Sequence, residues 1–156
     1  MRLKSLIVTS NVGSMYTFGQ VVTLDYGKAA EWYRKSATQG NSYAQNSLGA
    51  AYESGQGIPL DRSEAAKWYE LAADQGNSYA QFNLARLYFN GEGVQPDLIL
   101  AHHWYSLAAA GLPASDTTRK VALESNQAIV KLLSPDQLAK SFILTQQWKA
   151  AHGKND

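Results

Sequence analysis

The 156-residue chain carries 14 Lys and Arg against 13 Asp and Glu, giving a formal net charge of +1, and 45% of its residues are hydrophobic. This apolar content is typical of a globular chain rather than a disordered one. The balanced, scattered charge offers no basic surface for nucleic acid, and we expect no nucleic-acid partner. The absence of cysteine excludes disulfides, thiolate chemistry and Cys-ligated zinc.

The first residues, 1–8, place basic side chains before a short apolar run. A signal peptide needs an apolar stretch of roughly 7–15 residues and a small-residue cleavage site, and the polar residues 9–11 end this run too early. We therefore expect a helix here. The expected location is cytoplasmic by default, or periplasmic or secreted if the chain is a processed fragment. No apolar run reaches the ~18 residues of a membrane-spanning helix, so we expect no membrane span.

A Trp-Tyr pair recurs with a period of 36 residues, at positions 32/33, 68/69 and 104/105. Tyrosine, glycine and aspartate positions recur with the same period, and a fixed period of 20–50 residues indicates a repeat architecture. We expect three units, with a degenerate start in the first: residues 5–40, 41–76 and 77–112.

Each unit contains two amphipathic helical patterns. In the second unit, Leu48 and Tyr52 belong to the apolar stripe of a first helix, helix A, and Trp68 and Tyr69 to that of a second helix, helix B. We expect helix A over 5–18, 41–54 and 77–90, and helix B over about 62–75 and 98–110. A single hairpin cannot bury both stripes, so neighbouring hairpins must stack. The sequence therefore predicts an all-α solenoid.

Glycine-rich loops join the two helices of each unit. Gly55 suits the left-handed conformation that ends a helix. Asp61 and Asp97 stand where the N-cap of the following helix B belongs. Gly40, Gly76 and Gly111 are expected to end the three copies.

The period stops after residue 112. We expect two further helices in residues 113–151, the first from Ser115 to Leu133 and the second over about 135–151. A fraying tail, 152–156, is expected to follow. Ser134 and Gln137 form a helix-start pattern. The expected apolar sides carry Val121, Ile129, Leu132 and Leu133 in the first helix, and Leu138, Phe142, Leu144, Thr145 and Trp148 in the second.

The repeating pattern A-Q-x-x-L-G/A-x-x-Y, G-x-G, Asp, A-x-x-W-Y and a closing Gly resembles the Sel1-like repeat family, a relative of the tetratricopeptide repeats. The resemblance covers about residues 5–112. It implies an α/α superhelix of helical hairpins closed by a C-terminal capping helix pair. It also implies a bacterial adaptor that binds proteins.

By the same resemblance, one face of each helix A lines a concave groove. Its expected residues are Tyr43, Asn46, Ala50 and Glu53 in the second unit; Tyr79, Phe82, Arg86, Phe89 and Asn90 in the third; and Ile7, Ser10, Ser14 and Thr17 in the first. Aromatic residues and arginine are enriched in binding hot spots. The alternative for Tyr79 and Phe82 is that they pack against a neighbouring repeat.

Other candidate sites have simpler structural interpretations. The Trp-Tyr pairs could form a ligand platform, but their place on an apolar stripe favours core packing. His102 and His103 point about 100° apart on a helix and cannot share one metal ion. No nucleotide-binding or hydrolase motif occurs. We expect no metal, cofactor or catalytic residue.

Two functions remain open. The first is a non-catalytic scaffold that binds a protein or peptide partner through the concave face of its A helices, as a monomer or weak homo-oligomer. The alternative is a small-ligand-binding protein or hydrolase of the β-lactam type, an activity associated with cysteine-rich relatives.

Overall fold

The computed structural model describes residues 25–153, where seven α-helices and no strand occur. This confirms the all-α expectation. The helices are α1 (Tyr26–Ala37), α2 (Ser42–Ser54), α3 (Arg62–Asp74), α4 (Ser78–Asn90), α5 (Leu98–Gly111), α6 (Thr117–Val130) and α7 (Pro135–His152). The expected first helix A over 5–18, with Ile7, Ser10, Ser14 and Thr17, lies outside the described residues, as does 154–156 of the expected tail.

The chain divides into two compact units, unit 1 with residues 1–72 and unit 2 with residues 73–156. Unit 1 contains α1, α2 and most of α3, whereas unit 2 contains α4 to α7. The helix-A expectations over 41–54 and 77–90 match α2 and α4, and the helix-B expectations match α3 and α5.

Every described helix begins after a polar N-cap residue that accepts a hydrogen bond from a backbone N–H of the first turn. These residues are Asp25, Asn41, Asp61, Asn77, Asp97, Asp116 and Ser134. Replacing such a cap by alanine typically costs about 1 kcal/mol. At Ser134 the capping box with Gln137 is complete, as its sequence predicts.

The A helices end at glycines in the left-handed conformation. Gly55 and Gly91 both have φ of 70°, and their N–H groups donate to the carbonyls of Ala51 and Leu87. This confirms the expected role of Gly55. Two residues later, Gly57 has φ of 77°, and a Cβ there would collide with the backbone of Tyr26. The loop therefore needs glycine at 57 for space as well as for conformation.

A buried glutamine ties each of these A helices to the end of the helix before it. The Gln45 amide donates to the Ala37 carbonyl at 3.1 Å, and the Gln81 amide donates to the Ala73 carbonyl at the same distance. The Ala37 and Ala73 carbonyls also accept from the backbone N–H groups of Gly40 and Gly76, so each glutamine adds a second hydrogen bond at the helix end. The glutamine of the recurring Ala-Gln dipeptide therefore has a structural role, because it forms the hydrogen bond between the two helices.

In unit 1, Tyr69 of α3 packs against α2. Its ring lies so close to Gly49 that an added Cβ would stand 2.7 Å from the ring atoms Cδ1 and Cε1. The Tyr69 hydroxyl donates to Glu53 Oε2 at 2.8 Å. A small residue at position 49 is therefore needed for the tyrosine of the following helix to fit.

The Trp-Tyr pairs pack into the core. Tyr33, Tyr69 and Tyr105 are all buried, whereas Trp68 is only half-buried and packs against the edge of the unit 1 core. The core interpretation of the pairs is thus supported, with tyrosine the more deeply buried member of each pair.

Close helix approach also explains Gly111. Helix α5 continues through this residue, and a Cβ on it would collide with the Ser78 hydroxyl at the start of α4. Gly111 is not in the left-handed conformation. Position 111 therefore needs a residue without a side chain, because α4 and α5 approach each other closely there.

Helices α6 and α7 both pack on α5, but their inner faces differ from the expectation. Of the expected apolar positions of the first helix, Ile129 is buried in α6, whereas Val121 and Leu132, which lies beyond the end of α6, are exposed. In α7 the expected Phe142 and Leu144 are exposed.

The inner face of α7 carries the expected Leu138, Thr145 and Trp148, together with Ser141, which was not expected there. The reason is that α5 presents two histidines at this contact, and hydroxyl side chains satisfy them.

Candidate protein-binding surface

The strongest candidate surface lies on α4, in unit 2. Tyr79, Phe82, Arg86, Phe89 and Asn90 follow one another at helical spacing along one side of this helix. The side chains of Tyr79 and Phe89 are 44% and 40% exposed, respectively. Together these five residues are called the α4 face.

Tyr79 is held at the N-terminal end of the α4 face by a hydrogen bond. Its hydroxyl donates to Asp116 Oδ2 at 2.6 Å, while Asp116 Oδ1 accepts from the Thr118 backbone N–H at the start of α6. Both hydrogen bonds lower the pKa of the Asp116 carboxyl, and the one from Tyr79 has the larger effect. The exposed tyrosine ring therefore has a fixed direction.

Phe82 contributes less exposed surface than its neighbours. It is half-buried, and its ring makes an edge-on contact with Tyr105 of α5, with ring centroids 5.5 Å apart. Phe82 therefore packs on the helix B of its own repeat, whereas the packing alternative placed this contact on a neighbouring repeat.

Arg86 and Asn90 meet at a loop residue that the sequence reasoning missed, Glu92. Arg86 Nη1 lies 3.7 Å from Glu92 Oε2, and Asn90 Nδ2 donates to Glu92 Oε1 at 3.0 Å. Glu92 lies between the two positive-φ glycines Gly91 and Gly93. The loop thus supplies a carboxylate that orients the guanidinium beside Phe89. Such a partly exposed ion pair adds at most about 1 kcal/mol to stability.

The corresponding residues of unit 1 lie on α2. Tyr43 is 69% exposed, and Asn46 is half-buried. Glu53 is half-buried and accepts the hydrogen bond from the core residue Tyr69. Among these residues Tyr43 offers the largest exposed apolar surface, while Glu53 already has a structural role.

The two adjacent histidines of α5 are buried at the contact with α7. His102 Nδ1 lies 2.8 Å from Ser141 Oγ, and His103 Nδ1 lies 2.9 Å from Thr145 Oγ1. Because the Thr145 hydroxyl donates to the Ser141 carbonyl, it accepts from His103, which places the His103 proton on Nδ1. His102 is buried because α7 covers it.

Burial disfavours the charged form of both histidines. It lowers the pKa of His102, and burial together with the positive charge of His102 lowers the pKa of His103 to about 4. The two rings are therefore neutral near pH 7 and act as hydrogen-bond partners for α7.

The His102–Ser141 contact has the residue types of a base and a nucleophile, but Ser141 has no exposed surface, so no substrate reaches it. Within residues 25–153, no group of three or more His, Asp or Glu side chains is placed to hold a metal ion.

The Sel1 repeat family model matches three segments of the chain, residues 9–41, 42–77 and 78–111. The chain belongs to the Sel1 repeat family. Sel1 repeat proteins are generally protein-interaction scaffolds, and their α/α solenoid is the fold class of this chain. No curated protein sequence matches this Sel1 repeat chain significantly.

Two solved bacterial structures are similar to it. A protective antigen present in uropathogenic Escherichia coli strains, which displays an SLR fold, is 31% identical with a TM-score of 0.82 over 94% of this chain. A Sel1 repeat protein from Oxalobacter formigenes is 28% identical with a TM-score of 0.76 over 93% of this chain. This chain spans 30% of the first protein and 59% of the second. In the part of this chain that the structure describes, no helix is long and apolar enough to cross a membrane.

Proposed function

We propose that this Sel1 repeat chain is a non-catalytic scaffold that binds a protein or peptide partner through the exposed faces of its A helices. The observation that carries the proposal is the α4 face. Two part-exposed aromatic rings, Tyr79 and Phe89, lie on one side of a single helix with Arg86 between them.

The α4 face has features of a preorganised binding site. Asp116 fixes the direction of Tyr79, and Glu92 orients Arg86, so less side-chain entropy is lost on binding. Aromatic rings supply contact area, and a guanidinium supplies directional hydrogen bonds. A partner that covers this face would use an apolar side chain against Phe89 and an acceptor group against Arg86.

On α2, the exposed ring of Tyr43 is the second proposed contact. Asn46 is a polar neighbour on the same helix face, whereas we propose that Glu53 acts mainly by holding Tyr69. Truncation of Tyr43 should therefore weaken binding more than truncation of Asn46.

The experiment compares variants of the α4 face with variants of an exposed helix-B surface. Arg86→Ala/Phe89→Ala is matched by Lys67→Ala/Glu70→Ala on α3, where both side chains are exposed. Each variant must first keep the native melting temperature within a few degrees. Immobilised wild type captures the partner from a native lysate, and mass spectrometry identifies it.

The captured partner is then titrated against all three proteins. Truncating a hot-spot residue typically costs about 2 kcal/mol or more of binding, so we expect the α4 pair to weaken binding by roughly 30-fold or more. The α3 pair should bind like wild type. Loss of binding in the α3 pair, with full binding in the α4 pair, would place the site elsewhere.

A further inference from the structure

The side chains that α7 buries are hydroxyls rather than large apolar groups. Its two buried residues are Ser141 and Thr145, and each lies against one of the adjacent histidines of α5. The large apolar residues Phe142 and Ile143 are 52% and 56% exposed. Because the burial of apolar surface is the main source of packing stability, α7 is held less firmly than a helix with an apolar inner face.

Hydrogen bonds form the centre of the α5–α7 contact. Nδ1 of His103 donates to the Thr145 hydroxyl, which in turn donates to the Ser141 carbonyl at 2.9 Å, and the Ser141 hydroxyl lies 2.8 Å from His102 Nδ1. One inner residue opposes the docking of α7. The buried indole N–H of Trp148 has no hydrogen-bond partner among the described residues, and water would satisfy it if the helix left α5.

Helix α5 has separate contacts with the other two helices that pack on it. Tyr105 makes the edge-on ring contact with Phe82 of α4, and the Ser106 hydroxyl lies 3.0 Å from the side-chain amide of Asn126 of α6. Neither contact involves α7. Helices α4, α5 and α6 can therefore remain packed together when α7 leaves.

The two histidine rings have no charged partner on the helices around them. The titratable and charged side chains that the structure describes on those helices are Arg86 of α4, Arg119, Lys120 and Glu124 of α6, and Asp136, Lys140, Lys149 and His152 of α7. None of these groups contributes to the pKa of either ring: burial lowers the pKa of His102, and burial with the charge of His102 lowers that of His103. No carboxylate is thus in place to stabilise an imidazolium at this contact.

We propose that α7 is an acid-released cap, which separates from α5 when the buried histidines become protonated while α4, α5 and α6 remain packed. Release brings both rings into contact with water, where the imidazolium ion is well solvated. The released state therefore binds protons more strongly than the docked state, and its population rises as the pH falls. This inference is independent of the proposed function of the α4 face.

The size of the effect follows from proton linkage at His103. With a pKa of about 4 in the docked state and about 6.5 in the released state, docking is fully favoured above pH 6.5 and is weakened as the pH falls toward 4. Between pH 7 and pH 5, these two values increase the equilibrium constant for release about 20-fold.

Hydrogen exchange of the full chain, followed by mass spectrometry, tests the acid dependence. Protection factors, corrected for the intrinsic exchange rate at each pH, are compared for peptides from α7 at pH 7 and pH 5. The α7 protection of the wild type should fall about 20-fold more than that of His103→Asn, in which the amide can bond to Thr145 but does not titrate. Equal falls in the two proteins would overturn the proposal.

The urea dependence of exchange tests whether the release is local, and it needs no variant. At pH 5, the α7 amides of the wild type should be less protected than the α4 amides, and their exchange should depend less on urea, because release of one helix exposes little surface. Equal protection and equal urea dependence in α7 and α4 would mean that α7 leaves only when the whole unit unfolds, which would also overturn the proposal.

Thr145→Val provides a second variant that keeps the shape of the contact but removes the acceptor of His103. Its α7 amides should lose protection already at pH 7, while its α4 amides keep theirs. Wild-type protection in α7 of this variant would contradict the role of the His103–Thr145 hydrogen bond in holding the cap.

Discussion

Acidification to pH 5 should destabilise the protein through His103. In the folded chain this ring is only 5% exposed and donates to Thr145, and its pKa is lowered to about 4. In the unfolded chain the pKa returns to about 6.5. Between these values the unfolded state binds more protons, so stability is fully present above pH 6.5 and is lost as the pH falls toward 4. At pH 5 these two pKa values give a loss of about 2 kcal/mol.

The assay is urea unfolding of wild type and His103→Asn at pH 7 and pH 5. The asparagine amide can donate to the Thr145 hydroxyl in place of Nδ1, but it does not titrate. Between pH 7 and pH 5, the free energy of unfolding of the wild type should fall by about 2 kcal/mol more than that of the variant. Carboxylates with lowered pKa, such as Asp116, destabilise both proteins alike on acidification and cancel in the difference.

An exposed histidine provides the control for this measurement. His152 lies at the end of α7, where its ring stacks on Trp148. The His152→Asn variant controls for the replacement of a histidine that does not bond to Thr145. Equal losses in wild type and His103→Asn would refute the argument that burial at the α5–α7 contact keeps His103 neutral.

Three substitutions test the repeat packing by urea or thermal unfolding. Gly49→Ala should destabilise by about 1 kcal/mol, because crowding of the Tyr69 ring costs roughly 1–3 kcal/mol and the gain in helix propensity is about 1 kcal/mol; a stabilised variant would contradict the close contact. Gly55→Val should lower the melting temperature more than Gln56→Val, because Gly55 has φ of 70°; equal values would contradict the turn assignment. Trp68→Ala should cost about 2–3 kcal/mol, less than the roughly 3–5 kcal/mol of a fully buried aromatic; a loss below about 1 kcal/mol would contradict core packing.

The periodic part of the chain could be predicted because each structural need recurs in the sequence. The N-cap at Asp61 and the left-handed Gly55 follow from local backbone requirements that a residue type reveals directly. The apolar stripe of helix B likewise identified Tyr69 as a core residue. These features depend on near neighbours in the sequence, so pattern reasoning is sufficient for them.

The inner face of α7 could be predicted only in part, because the partners of its polar residues lie far away in the sequence. Ser141 bonds to a histidine 39 residues earlier, and Thr145 bonds to one 42 residues earlier. The helical spacing placed Thr145 on the inner side, but Ser141 does not mark itself as a core residue, and the apolar Phe142 was assigned inward although it is exposed. Hydrogen bonding to the two histidine rings of α5, rather than hydropathy, decides which residues of α7 face inward, because buried polar groups need hydrogen-bond partners.

The α4 face was only partly visible in the sequence. Helical spacing placed Tyr79, Arg86 and Phe89 on one side, and the described helix has that spacing. The residues that orient them, Glu92 and Asp116, belong to a loop and to the start of another helix. No periodic pattern links these positions to α4, so their orienting contacts required the structure.

Site-specific photo-cross-linking tests the central claim, that a partner binds the α4 face, most directly. Phe89 is replaced by p-benzoylphenylalanine in one variant and Glu70 in another, both exposed positions. Each variant is irradiated in native lysate and analysed by gel shift and mass spectrometry. The account predicts a discrete protein adduct from position 89 and none from position 70. An adduct from position 70 alone would contradict it.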